Sequence, residues 1–314
     1  MIIAVLAVVA LALIAAYLMI GQQGGWEIAW RFRGPRVGAM VVVGVAVACS
    51  TVAFQTLAAN RILTPAILGF DVLFQSIQTV LMFSLGAITV NQIGRLGLFG
   101  ISVTIMLAFS LALFWGLFGG AGKSLHLVLL IGLVLGTLLR SLTLMLQQRL
   151  DPGDFLVLQS RLFASFHGVD QRLLVVSGMI VTLGALALFA LRLRLDVLVL
   201  GREISVSLGV NHKRITLTTI TIVAVLTSAS TALVGPITFF GLLVANLAYA
   251  LVRDHRHASV LPAAALLAVI ALVGGQIVLE HGLGQRTLLS VVIEFLGGIV
   301  FIAMLILQGR RFRG

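Results

Sequence analysis

The chain has 314 residues, 60% of them apolar, and its 33 glycines bring the non-polar share to about 70%, against roughly 45–50% in soluble globular domains. Only 10% are Asp, Glu, Lys or Arg, too few to solvate a water-soluble domain of this length. The formal charge of +11 is scattered through short connections between apolar runs, not gathered into a stripe, which excludes a nucleic-acid footprint and leaves an integral membrane protein.

A spanning helix needs about 20 predominantly apolar residues. Unbroken runs at residues 125–139 and 288–307 exclude a β-barrel, whose strands alternate over about ten residues. The first run, 2–20, has no basic region before it and no clear A-x-A cleavage site, so it reads as a span and not as a signal peptide. Apolar runs and their polar or Gly/Pro breaks predict ten spans in one domain covering 1–314: near 2–20, 37–58, 66–90, 96–118, 125–147, 173–191, 213–233, 238–252, 259–279 and 287–307. An even number puts both termini on one side. With that side cytoplasmic, twelve basic residues lie inside and eight outside, a modest positive-inside bias that leaves the outer arginines wanting a cause of their own.

Two connections have a composition of their own. Residues 151–170 open with Asp-Pro-Gly and then place Phe155, Leu156, Leu158, Leu162, Phe163 and Phe166 at helical spacing, which predicts a short amphipathic helix on the membrane surface. Residues 192–214 alternate apolar and polar around Gly201 and Gly209. With Asp196 as N-cap and Gly209 as stop, they predict two short helices lying across the cytoplasmic face, where a soluble partner could grip them.

The motifs with chemical overtones carry little. GGAGKS at 119–124 ends like a P-loop, but Leu117 stands where the first glycine belongs, and the motif joins two apolar spans. His255 and His257 sit in a short basic stretch, 253–257, without further ligands, which reads as a solvated turn and not a metal site. Cys49 is the single cysteine, and no nucleophile, base and orienting group can be assembled, so no catalytic residue, metal or cofactor is expected in this chain. Ionisable residues inside predicted spans say more, because each is costly in hydrocarbon. Asp71, Arg140 and Glu294 are of this kind. Either Arg140 pairs with one of the carboxylates and locks the bundle, or it lines a wet path and attracts an anionic cargo.

The segment LGREISVSLGV (200–210) resembles the coupling loop of the FecCD family, the permeases of ATP-driven importers for iron chelates and cobalamin. RGPR (33–36) and LVGPITFFGLL (233–243) resemble the same family, and the similarity runs over almost the whole chain. It implies an all-α polytopic membrane bundle with the type II ABC importer permease fold. It also implies a second permease subunit, two ATPase subunits holding the ATP and Mg, an extracytoplasmic siderophore-binding protein, and a bacterial cytoplasmic (inner) membrane location with both termini cytoplasmic.

Position by position, the resemblance assigns ATPase coupling to Asp196, Leu198, Leu200, Gly201, Arg202, Glu203, Ile204, Val206, Leu208 and Gly209, and binding-protein docking to Arg33 and Arg36. Asn60, Ile62, Ser124 and Leu125 fall at the inner gate, and Arg140 is a candidate for the translocation path. NRILTP (60–65) and Ala245-Asn246 depart from the family's usual Asn-Pro-Leu-Ala and Pro-His. With LGFD (68–71), the first variant resembles the ferric-siderophore branch, whose permeases often form heterodimers. Cobalamin or haem remain alternative cargoes, and an ion-gradient transporter using Asp71 or Glu294 is the rival from another class.

Overall fold

The computed structural model describes residues 2–20, 25–118, 125–282 and 289–311, and every regular element among them is helical. In chain order these are α1 (Ile2–Met19), α2 (Gly25–Ala58), a π-helical turn (Ala66–Phe70), α3 (Asp71–Phe118), α4 (Leu125–Gln147), α5 (Pro152–Leu162), α6 (Gln171–Ala190), α7 (Arg192–Leu198), α8 (Arg202–Ser207), α9 (His212–Val234), α10 (Phe240–Leu251), α11 (His257–Gly282) and α12 (Leu289–Arg311). Seven of the helices described are long and apolar enough to cross a bilayer. The 48 residues of α3 exceed a single crossing, since about 20 suffice. Non-helical backbone at Gly86 and Gly94 folds them into two arms, so that Gln78 on the first arm donates to Ser102 on the second at 3.0 Å. This is the break expected between spans three and four. The apolar helices α10 and α12 complete the bundle.

Helix α2 differs from expectation by starting at Gly25 instead of near 37. RGPR does not end it: Pro35 lies within the helix, which continues through it at the cost of one intrahelical hydrogen bond. Toward its other end α2 becomes the most enclosed span, with Ala46, Val52, Ala53 and Phe54 fully buried among α6, α9, α10 and α11. Small residues allow this: a Cβ on Gly44 would stand 3.2 Å from Ala268 of α11, closer than side chains usually sit. The amphipathic helix expected in 151–170 is α5, opened by Pro152 and buried through Leu158 against Met82 and Val90. After it the chain lies over the end of α9, where Ser165 donates its N–H to Val234 at 2.8 Å.

The periphery is apolar and unpartnered. Helix α4 exposes Leu130, Leu133, Val134, Leu138 and Leu142, and α12 exposes Phe295, Ile299 and Ile302. In water such faces would be a liability; in a bilayer they meet lipid or another subunit.

Candidate coupling and translocation site

At one end, α7 and α8 form the two short helices expected, with the bend between them at Gly201, whose φ of 93° is open to glycine and strained for any side chain. The pair divides its apolar residues. Leu195 and Leu198 pack inward, whereas Val199, Leu200, Ile204, Val206 and Leu208 are each more than half exposed. Arg202, Glu203 and Gly209 are also exposed around them. An apolar patch of this kind at a membrane protein's aqueous end calls for a protein partner.

Asp196 lies inside α7 and does not cap it, contrary to expectation. It caps a different helix: Oδ1 accepts from the backbone N–H of His257, the first residue of α11, at 2.9 Å, and from the same residue's ring Nδ1 at 2.6 Å. A carboxylate only accepts, so Nδ1 carries the proton and Nε2 faces Thr56 of α2 at 2.7 Å. His257 is therefore no part of a solvated turn. It is 2% exposed, because starting α11 turns its ring inward while His255, two residues earlier, stays outside. The result is a hydrogen-bonded line from the exposed helix pair to the end of the central helix.

The chain leaves α2 next to this line. Ala59 adopts φ 46°, a left-handed conformation worth about 1–2 kcal/mol of strain for a non-glycine residue, and Asn60 Oδ1 accepts from the N–H of Ile62 at 2.9 Å. The Arg61 carbonyl accepts from Gln55 at 2.5 Å and from Asn246 of α10 at 3.1 Å, while its guanidinium lies 4.4 Å over the Tyr249 ring. The two departures from the family pattern, 60–65 and 245–246, thus touch one another. Ser124 falls outside the described residues, and Leu125 is described only as the first residue of α4.

Between α9 and α10 lies an irregular segment that starts at Gly235, where φ is 99° and a Cβ would crowd Ala164 at 3.0 Å. Within it, Thr238 donates to the buried Asp71 carboxylate at 2.8 Å, and Glu294 of α12 faces the Thr238 backbone. Non-helical backbone at membrane depth survives only where protein or water satisfies it. Among the described residues no ion pair joins Arg140 to Asp71 or Glu294. Arg140 instead lies exposed on the apolar face of α4, in the middle of a span.

At the opposite end Arg33 and Arg36 turn toward Glu280 of α11, at 3.8 and 3.6 Å. The Tyr17 hydroxyl donates to the same carboxylate at 2.8 Å and Gln276 at 2.9 Å, and Arg33 also caps the end of α1 through the carbonyls of Tyr17 and Ile20, both at 2.6 Å. Glu280 lies one residue beyond the predicted ninth span. An acid at the end of an apolar run, opposite in sign to RGPR, was the available signal.

Antiparallel apolar helices, an irregular break between α9 and α10 and a helix pair with an exposed apolar face are the build of a multi-pass membrane transport permease. Residues 1–307 match the FecCD transport family, and the chain belongs to that family. It is 40% identical over 305 residues to the petrobactin import system permease protein YclO of Bacillus subtilis, covering 97% of this chain and 96% of that one. It is 35% identical over 268 residues to the petrobactin import system permease protein FatC of Bacillus anthracis, covering 85% and 76%. Among solved structures, a metal-chelate type ABC transporter in an inward-facing conformation matches with a TM-score of 0.85 over 97% of this chain and 98% of that one. At 22% identity that match shows the common fold.

Proposed function

We propose that this chain is one permease half of an ATP-driven importer for a ferric siderophore, with petrobactin the first candidate because YclO and FatC are both named for it. The observation that carries this reading is the exposed apolar patch of residues 199–208, tied through Asp196, His257 and Thr56 to the central helix. An ATPase subunit gripping the patch moves α7, and the hydrogen-bonded line passes that movement to the end of α2 and the turn at Asn60 and Ile62. That turn, with Ser124 and Leu125, forms the inner gate. The end carrying α7 and α8 is cytoplasmic, as are both termini, in a bacterial inner membrane.

A charged side chain at mid-membrane costs several kcal/mol unless it meets water or a partner, and among the described residues Arg140 forms no contact ion pair, its charge reaching Asp71 only at longer range. A second permease subunit seated on α4 supplies both, closing a wet path between the two halves into which Arg140 projects. A heterodimer is favoured by the likeness of NRILTP (60–65) and LGFD (68–71) to the ferric-siderophore branch. Arg33 and Arg36, with side chains 17% and 28% exposed, present a positionally fixed basic edge to acidic residues of an extracytoplasmic binding protein.

The test is reconstitution of this chain with its partner permease, ATPase and binding protein in proteoliposomes. Uptake of radiolabelled ferric petrobactin that requires ATP and every subunit supports the reading. Uptake by this chain alone under an ion gradient overturns it.

A further inference from the structure

The arms of α3, helix α5, residues 163–170 and the end of α9 enclose a cavity of about 450 Å³ at the end that carries Glu280. This is the size of a small-molecule site, which typically spans about 300–1,000 Å³, and far larger than one acidic side chain requires. Its floor is aromatic, with Phe74 and Phe99 both buried. Gln78 and Ser102 add a hydrogen-bonded polar pair to the wall.

Two guanidinium groups line the same space, and neither has a carboxylate partner among the described residues. Both are held by neutral acceptors instead: Arg95 donates to the Gly168 carbonyl and Arg161 to Asn91 Oδ1. Each therefore keeps its full charge and most of its donors while its position is fixed. The one acid on the wall, Asp170, is engaged as the N-cap of α6, accepting from Arg172 N–H at 2.8 Å. Burial, and after it the neighbouring Arg95 charge, holds Arg161 below the ordinary guanidinium range.

We propose that this cavity is a reception site for a small anionic iron chelate, one that presents carboxylate or catecholate oxygens to Arg95 and Arg161 and an aromatic ring to Phe74 and Phe99. The proposal rests on the importer reading and adds to it that the permease itself selects for charge before cargo reaches the central path. An acidic loop of a binding protein would find the arginines but leave the aromatic floor unfilled, so the chemistry favours the small chelate.

The experiment uses this chain with its partner permease in lipid nanodiscs, without binding protein, and measures equilibrium binding of a ferric tris-catecholate and of a neutral ferric tris-hydroxamate. The wild type should bind the catecholate and not the hydroxamate, and Arg95→Gln with Arg161→Gln should weaken binding about 10- to 100-fold. Ser160→Trp, on the exposed rim, should block the cavity with both arginines intact and serves if the double variant does not fold. Unchanged catecholate affinity in both variants, or equal binding of the neutral chelate, overturns the proposal. So does displacement of the catecholate by phosphatidylglycerol in the disc at equal charge, which would make the site one for lipid headgroups. ATP-dependent uptake in the complete wild-type importer is measured alongside. If that uptake is absent the importer reading fails; if it is present and indifferent to these variants, only the cavity assignment fails.

Discussion

At the end that carries α7 and α8, polar groups form a line from the partly exposed Asp196 to the buried His257 and Thr56, in which each link joins a different helix. At the opposite end Tyr17, Arg33, Arg36 and Gln276 all converge on the one carboxylate of Glu280. A line transmits displacement, since moving one member moves the next. A hub resists displacement, because several helices must give way together. The exposed apolar patch sits beside the line, and the charged cavity lies at the end with the hub. The contrast separates an end whose helices are linked in series from an end whose helices are tied to one carboxylate.

The sharpest way to break that division is a charge in the patch. Leu200 is half exposed, so Leu200→Glu should leave the fold within about 0.5 kcal/mol of wild type. In an ATPase interface the same carboxylate is desolvated without a partner, and association should weaken about 100-fold or more, measured by co-purification and by loss of ATP-dependent uptake. A complex of normal affinity would remove the patch from the mechanism.

Next in size is the hub. Glu280→Ala leaves two arginines facing each other and deprives Tyr17 and Gln276 of their acceptor. Breaking a fully buried pair costs about 3–5 kcal/mol, and the partial exposure of both arginines reduces the expectation to about 2–3 kcal/mol of unfolding stability in detergent micelles. Glu280→Gln keeps an acceptor oxygen and should lose about half as much.

The line should fail differently. His257→Ala removes the ring's bonds to Asp196 and Thr56 and leaves the backbone N–H bond to Asp196 in place, for about 1–3 kcal/mol, and its larger expected consequence is functional: more ATP should be hydrolysed per chelate transported, because α7 no longer carries the end of α2 with it. Glu280→Ala should lower stability with that ratio unchanged. If the two variants alter the ratio equally, the distinction between line and hub disappears.

Much of this architecture is legible in the residues. Apolar runs mark the helices because hydrocarbon thickness sets a minimum length, and Gly201 and Gly209 mark the helix pair because both turns need positive φ. Asp196 was visible as a capping residue, but not the helix it caps, since its partner is 61 residues away and only tertiary packing brings α11 to it. His257 read as loop because its neighbours Arg253, Asp254 and Arg256 are charged; the inward turn of one ring at a helix start leaves no periodic trace. Arg140 and the two membrane carboxylates were rightly conspicuous, yet the pairing open to them on charge alone does not occur, Asp71 being held by a threonine hydroxyl from the broken segment.

The smallest effect expected is one of pH, and it tests how far the hub's field reaches. His167, beside the charged cavity, is held below the usual histidine value, chiefly by burial and then by the Arg36 charge, with Glu280 opposing. The unfolded chain titrates near 6.5, so above about pH 7 the ring is neutral in both states and contributes nothing to the pH dependence. As pH falls through that value the unfolded chain takes up the proton first, and stability falls until the folded ring is protonated too. His167→Gln should therefore flatten the acid side of the stability profile while leaving the neutral side unchanged, read as unfolding temperature in nanodiscs between about pH 5 and 7.5. Glu280→Ala should do the reverse. Without the opposing carboxylate the ring is pushed lower still, and the acid side steepens. A profile indifferent to Glu280 would confine the hub's influence to the helices it joins.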